Sequence, residues 1–338
     1  MARVRKLNTK LKPEINTGFG NNPSSYGGRF VNKNGRPNIE KSGLGFLEGI
    51  SWYHTMLVMP RWKFFLVILL FYACINVIFG GIYFTIGVDT LGEIPSPSEL
   101  TNFAEAFFFS TQTFTTVGYG RISPIGFVSS SIAAFEALLG LLSFALATGL
   151  LYGRFSKPVA YLRFSDNALI APYKDINALM LRLAPFKNTN LVDAFANVTL
   201  GMTIEENGVF VNRFYQLELE FATVNALTLS WTLVHPITEK SPLHNFTRAD
   251  FENIKGEILV FIKAFDDMFS NVVVARTSYV FNEIHYGGKF EPMYERADSG
   301  DKTVIYLDKL NLFTSVALNS TNGITEEEEN VISKDDLN

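Results

Sequence analysis

Two long apolar runs interrupt an otherwise mixed chain. Residues 64–84, FFLVILLFYACINVIFGGIYF, carry no charge and one strongly polar side chain, Asn76. Residues 125–152 are longer and hold a single charge, Glu136. Each run meets the ~20 apolar residues that a hydrocarbon core demands, so each predicts a membrane-spanning helix, the second tilted or continuing past the bilayer. The first run begins after residue 60, too far along for a cleaved signal peptide. Between the runs, Thr101 is the expected N-cap of a short helix, NFAEAFFFSTQT, followed by irregular backbone at membrane depth. Such backbone is tolerated only where protein buries it or where it lines a water-filled cavity. Ahead of the first run, Phe46, Ile50, Tyr53, Met56 and Leu57 recur at helical spacing, which predicts an amphipathic helix lying on the inner membrane surface and stopped by Pro60.

Past Pro158 the period changes. ANVTLGMTIE, VFVNRFYQLELEFA, ALTLSWTLV, GEILVFIKAFD and NVVVARTSYVF set β-branched and aromatic residues in alternation. Turn signals separate them at Glu206-Asn207-Gly208, His235-Pro236, Gly287-Gly288 and Ser299-Gly300-Asp301. Eight or more strands with little helix predict an immunoglobulin-like β-sandwich ending near residue 315. Both ends of the chain lack periodicity: residues 1–44 are rich in Gly, Asn, Pro and Lys, and the last residues, EEEENVISKDDLN, are acidic.

Charge orients the spans. Arg3, Arg5, Lys6, Arg61 and Lys63 precede the first and Arg154, Lys157 and Arg163 follow the second, whereas residues 85–105 carry only the acids Asp89, Glu93, Glu99 and Glu105. The positive-inside rule then places both termini in the cytoplasm, in a cell (inner) membrane. The net charge of −4 averages a basic flank with an acidic tail and decides nothing. The single cysteine, Cys74, allows no intrachain disulfide. The chain has no P-loop, no G-x-S-x-G and no paired His motif, so an enzyme is not expected. No Cys or second His falls at ligand spacing to His244 or His285, and no metal site or cofactor is expected beyond a permeant ion.

The chemistry concentrates in Thr116-Val117-Gly118-Tyr119-Gly120, between the short helix and the second span. A potassium ion sheds its water only where fixed oxygens replace it, and backbone carbonyls from four chains can do so if all point to one axis. Gly118 and Gly120 permit the unusual backbone angles this needs. Val117 and Tyr119 would brace the ring from outside, and the Thr116 hydroxyl would add an oxygen at the inner end. The sequence of span, re-entrant helix, TVGYG and span makes the motif specific and implies a homotetramer with K+ as its permeant ligand. On the second span, steps of four residues align Phe144, Thr148 and Tyr152 as one inward stripe. Gly140 and Gly149 are open to two readings, a hinge or close helix packing. Glu136, an acid within a span, either supports the filter from behind or sits near the cavity.

FSTQTFTTVGYGRISPIG, EALLGLLSFALATGLLYGRFSKP, SWTLVHPITEKSPL and NEIHYGGKF resemble prokaryotic inward-rectifier potassium channels. The resemblance covers roughly residues 46–315. It implies a membrane α-helical pore followed by an all-β cytoplasmic sandwich. The expected organisation is a disordered N-terminus (1–44), an interfacial slide helix (45–60), a transmembrane pore domain (61–153), a linker (154–158), the sandwich (159–316) and an acidic disordered tail (317–338). By resemblance, Phe144 stands where strongly rectifying relatives place an acid, which implies weak rectification. Tyr152 stands at the bundle-crossing constriction. Gln112, a filter-support position, replaces a glutamate of many relatives, which removes the basis for carrying over a salt bridge to Arg121. Arg61, Lys63, Arg154 and Lys157 fall where the family binds anionic membrane lipids; topology alone is the other reading. No nucleic-acid partner is expected. A non-conducting receptor whose β domain binds a ligand remains the alternative, as does a channel gated by a soluble ligand or calcium through Asp266-Asp267.

Overall fold

The computed structural model describes residues 29–43, 45, 51–92, 98–206, 209–297, 300 and 302–320. It divides into two compact units, residues 41–157 and residues 1–40 with 158–338.

In the first unit, helix α1 (Trp52–Val58) starts at Ser51, whose hydroxyl accepts from the His54 amide. Pro60 ends it by forcing Met59 into extended backbone. The expected apolar positions Phe46 and Ile50 lie outside the described residues. Helices α2 (Arg61–Ile86), α3 (Glu99–Phe114) and α4 (Phe127–Phe155) follow. At 1.5 Å per residue, α2 and α4 are roughly 40 Å long and long enough to cross a membrane, while α3 at roughly 24 Å is not. Helix α3 begins earlier than Thr101, which sits inside it; Ser98 is the N-cap residue. Helices α2 and α3 touch closely at Gly80, where an added Cβ would lie 3.1 Å from Phe107 Cα. Around that contact Phe79, Tyr83, Ala106, Phe109, Ile122 and Ala133 form the small core of the unit. Much of the remaining surface of α2 is bare and apolar, including Phe65, Leu69, Leu70 and Phe71, as lipid requires. Cys74 is exposed on the same helix.

The second unit is built on strands. These are β1 (Leu162–Phe164), β2 (Ala168–Tyr173), β3 (Ile176–Pro185), β4 (Leu191–Glu206), β5 (Val209–Leu217), β6 (Thr223–Leu227) and β7 (Trp231–Pro236). Beyond a short helix α5 (Arg248–Asn253) come β8 (Gly256–Asp266), β9 (Asn271–Val280), β10 (Ile284–Tyr286), β11 (Gly288–Phe290), β12 (Tyr294–Arg296), β13 (Thr303–Ile305) and β14 (Phe313–Ser315). One five-stranded sheet runs β1-β3-β2-β10 with β7 also on β3; the other runs β5-β4-β8-β9 with β6 also on β4. Alternation explains the layers: Ile258, Val260, Ile262 and Ala264 of β8 enter the core, and Lys263 and Phe265 point out. They meet Leu179, Leu181, Leu183 and Leu233 of the facing sheet, which completes a β-sandwich. His235-Pro236 closes strand β7 and is not a turn. His235 is buried, with Nδ1 2.6 Å from the Glu218 carbonyl and Nε2 2.8 Å from the Ser241 hydroxyl.

Two expectations of disorder are corrected. Residues 29–38 form a strap against β9, the edge strand of its sheet. The Phe30 and Val31 amides donate to the buried Glu257 carboxylate at 2.6 and 3.1 Å, and the Ser278 hydroxyl donates to the Val31 carbonyl. Phe30 and Val31 cover Phe214 and Leu259, Arg29 pairs with Glu283, and Lys33 reaches the Asp166 carbonyl at 2.6 Å. Two apolar side chains and a backbone-binding carboxylate thus order a segment whose composition reads as loop. At the other end, Leu318 packs on the sandwich core and Asn319 exchanges hydrogen bonds of 2.9 Å with Asn177. Residues 1–28 and 321–338 lie outside the described residues.

Candidate functional site

Helix α3 ends by folding its chain back under itself. The Thr116 amide donates to the Thr113 carbonyl at 3.1 Å, and the Val117 and Gly118 amides both reach the Gln112 carbonyl, at 2.9 and 3.4 Å. The backbone then alternates in hand: φ is 58° at Thr116, 55° at Gly118 and 80° at Gly120, while Val117 and Tyr119 stay at negative φ. Positive φ at these positions is the kind of unusual backbone angle that a row of carbonyl ligands would call for. An added Cβ on Gly118 or Gly120 would meet nothing within 4 Å, so it is the backbone angle, not space, that calls for glycine. Residues 115–120 are exposed in the single chain. Arg121, directly after the loop, pairs with Glu105 of α3, an acid that sequence reasoning used only for topology.

Behind α3 the structure places Glu136 at zero exposure. One of its carboxyl oxygens lies 2.7 Å from the Tyr83 hydroxyl of α2 and the other contacts Ser110 of α3. Glu136 is thus packed between α4, α2 and α3 within the chain, away from the exposed surface of α4. One turn along α4, Gly140 is buried, and an added Cβ would overlap the Phe114 carbonyl at the end of α3. Gly140 therefore has a packing reason. Gly149 is exposed and an added Cβ there would meet nothing within 4 Å.

Phe144, Thr148 and Tyr152 form one exposed stripe on α4, with Phe144 and Tyr152 each 73% exposed and the Thr148 hydroxyl bonded to the Phe144 carbonyl at 2.9 Å. At the C-terminal end of α4, Arg154 has a task that sequence reasoning missed. Its guanidinium donates to the carbonyls of Met56 and of Met59, the latter at 2.7 Å, and lies 4.6 Å from the Phe64 ring. Those are orphan carbonyls at the C-terminus of α1, so Arg154 caps one helix from another. Arg61, Lys63 and Lys157 are exposed. Leu57, Arg61, Phe64, Phe65, Leu151, Arg154 and Phe155 line a cavity of about 100 Å³. The calcium alternative finds no support among the described residues. Asp266 receives the Met268 and Phe269 amides as a turn cap, and no group of three potential metal ligands occurs.

Residues 162–331 match the family model for the inward rectifier potassium channel C-terminal domain, and residues 64–157 match the ion channel model. The inward rectifier potassium channel Kirbac3.1 of Paramagnetospirillum magnetotacticum is 31% identical over 84% of this chain and 96% of its own length. The chain belongs to the inward rectifier potassium channel family. The ATP-sensitive inward rectifier potassium channel 12 of Bos taurus and that of Homo sapiens are each 27% identical over 78% of this chain, which covers 67% and 66% of them. Among solved structures, the Spo0M sporulation control protein of Bacillus subtilis overlaps 40% of this chain and 58% of its own at 9% identity; its TM-score of 0.19 carries no argument. The relatives that define the family are channels and not enzymes, and the two long apolar helices make this chain a membrane protein.

Within the chain, the predicted residues of the filter, its support and the second span gather in three places along the membrane unit. Thr116 to Gly120 and Gln112 make the loop at the end of α3; Glu136 and Gly140 make the contact behind it; Phe144, Thr148, Gly149 and Tyr152 follow down α4. The signal for Ser110 and Tyr83 was weak, since a serine and a tyrosine in apolar runs ordinarily mean little. Only the matching acid at Glu136 singles them out.

Proposed function

We propose that the chain forms a homotetrameric potassium-selective channel that conducts passively through Thr116-Val117-Gly118-Tyr119-Gly120. The observation that carries this reading is the alternating positive φ of Thr116, Gly118 and Gly120 on an exposed loop held at the end of a helix too short to cross the membrane. Gln112 supports the loop through its carbonyl and Glu136 supports it from behind. Tyr152 narrows the inner end of the pore, where four converging aromatic rings would dewet it. Phe144 supplies no acid for an inner blocking cation, so rectification is weak. K+ is the permeant ligand, and the channel uses no cofactor.

Regulation comes from the inner face. Arg61, Lys63 and Lys157 offer charge to anionic membrane lipids, and Arg61 shares a cavity with Arg154, whose guanidinium also holds α1. Each exposed base near a charged leaflet contributes about 1 kcal/mol. The β-sandwich acts on the same gate, and both termini lie in the cytoplasm of a cell whose inner membrane holds the channel. Planar-bilayer recording with and without anionic phosphoinositide tests these finer points. A current that changes with the lipid, and loses that response when Arg61 and Lys63 are replaced by glutamine, is the expected result. A current indifferent to the lipid would reduce these bases to topology signals.

A further inference from the structure

Four polar side chains at zero exposure link α2, α3 and α4: Asn76, Tyr83, Ser110 and Glu136. All four are buried within one chain, so the cluster is complete before any assembly. Its contacts form a line. The Tyr83 hydroxyl lies 2.7 Å from Glu136 Oε2; Glu136 Oε1 contacts Ser110 Oγ; Ser110 Oγ lies 3.0 Å from Asn76 Oδ1; Asn76 Nδ2 donates to the Tyr72 carbonyl at 2.7 Å.

Counting protons along this line decides the state of the acid. A serine hydroxyl has one proton to donate. With Glu136 ionised, Ser110 faces two acceptors, and one close oxygen–oxygen contact is left without a proton in a buried site. Turning the Asn76 amide over moves the fault to the Tyr72 carbonyl, which would then face the amide oxygen. One arrangement gives each of the four contacts its proton. Glu136 Oε1–H donates to Ser110, Ser110 donates to Asn76, Asn76 donates to Tyr72, and Tyr83 donates to Glu136 Oε2. A neutral acid also escapes the large cost of an unpaired charge at membrane depth.

We infer that Glu136 is held as a neutral carboxylic acid, and that Ser110 and Tyr83 are positioning residues which fix α3, and through it the filter, by hydrogen bonds to that acid. Ser110 precedes by two residues Gln112, whose carbonyl receives the Val117 and Gly118 amides. Four residues beyond Ser110, Phe114 meets Gly140 of α4. Displacing Ser110 therefore displaces the anchor of the filter. The inference rests on the reading of residues 116–120 as a potassium filter.

The test uses the full chain in liposomes, with rubidium uptake measured against competing sodium. In Glu136→Gln the amide can donate to Ser110 and accept from Tyr83, as the neutral acid does, and discrimination stays within about twofold of wild type. Glu136→Leu loses both bonds, and discrimination falls about tenfold or more. Tyr83→Phe keeps its ring, 5.0 Å from that of Phe109, and isolates one bond for a smaller loss in the same direction. Infrared spectra of wild type against Glu136→Gln provide a second readout, in which a protonated carboxyl band present only in wild type is expected. A Gln variant as damaged as the Leu variant, or no such band, would show an ionised acid. Unchanged discrimination in the Leu and Phe variants would reduce the cluster to packing. Failure of the channel reading would show separately, as wild type without selective uptake.

Discussion

Thr116 lacks the freedom of glycine yet holds a φ of 58°. A non-glycine residue in the left-handed region costs of order 1 kcal/mol or more and persists where its surroundings over-determine it. Here the Thr113 carbonyl below and the Gln112 carbonyl beside it receive the amides of residues 116–118. The strained angle at Thr116 is thus held by hydrogen bonds to the end of α3. Single residues also govern the β unit. Burial holds the His235 imidazole below its ordinary value near 6.5. The unfolded chain therefore takes up this proton first as pH falls, and the β unit loses stability below about pH 6.5 until the folded value is passed. Melting temperature measured on the full chain should decline from about pH 7 to about pH 5, and His235→Gln, which does not titrate, should flatten that decline. An unchanged slope would assign the acid sensitivity to other groups.

Helix α4 is held at both ends and open between them. Glu136 and Gly140 fasten its N-terminal half to α3, Arg154 ties its last turn to α1, and between them an added Cβ on Gly149 meets nothing within 4 Å. Of the two glycines, Gly149 is the one whose surroundings within the chain leave room for a bend. Gly149→Ala, which relieves a helix of about 1 kcal/mol of glycine cost, should fold normally and conduct less, whereas Gly140→Ala should reduce the thermal stability of the membrane unit. Equal effects on conduction from both would contradict this division. The elements differ in how far sequence could show them. Strands β8 and β9 coincide with GEILVFIKAFD and begin with NVVVARTSYVF because alternation is a local property. The TVGYG loop was legible for the same reason, since its glycines answer to local backbone angles. The strap was not, because Phe30 and Val31 are few among Gly, Asn and Lys and their partner Glu257 lies more than 200 residues away. Arg154 was half legible. Its charge stood out, while the carbonyls of Met56 and Met59 that use it leave no trace in a pattern of side chains.

At the scale of the molecule, one chain joins a membrane unit that is bare and apolar outside to a β-sandwich with a core of its own. The covering of β9 by residues 29–38 protects an edge strand that would otherwise invite pairing. The TVGYG loop, the Glu136 cluster behind it and Arg154 with its carbonyl partners all lie within the membrane unit, and in the proposed function ion selection belongs to that unit and control to the sandwich. The most direct test of this account is uptake of rubidium into potassium-loaded liposomes holding the purified full chain, with sodium and barium as controls. Uptake driven by the potassium gradient, blocked by barium and not supported by sodium, is the predicted result. A folded tetramer that shows no such uptake, even with Tyr152→Ala widening the inner end, would contradict it and leave a membrane receptor as the better reading.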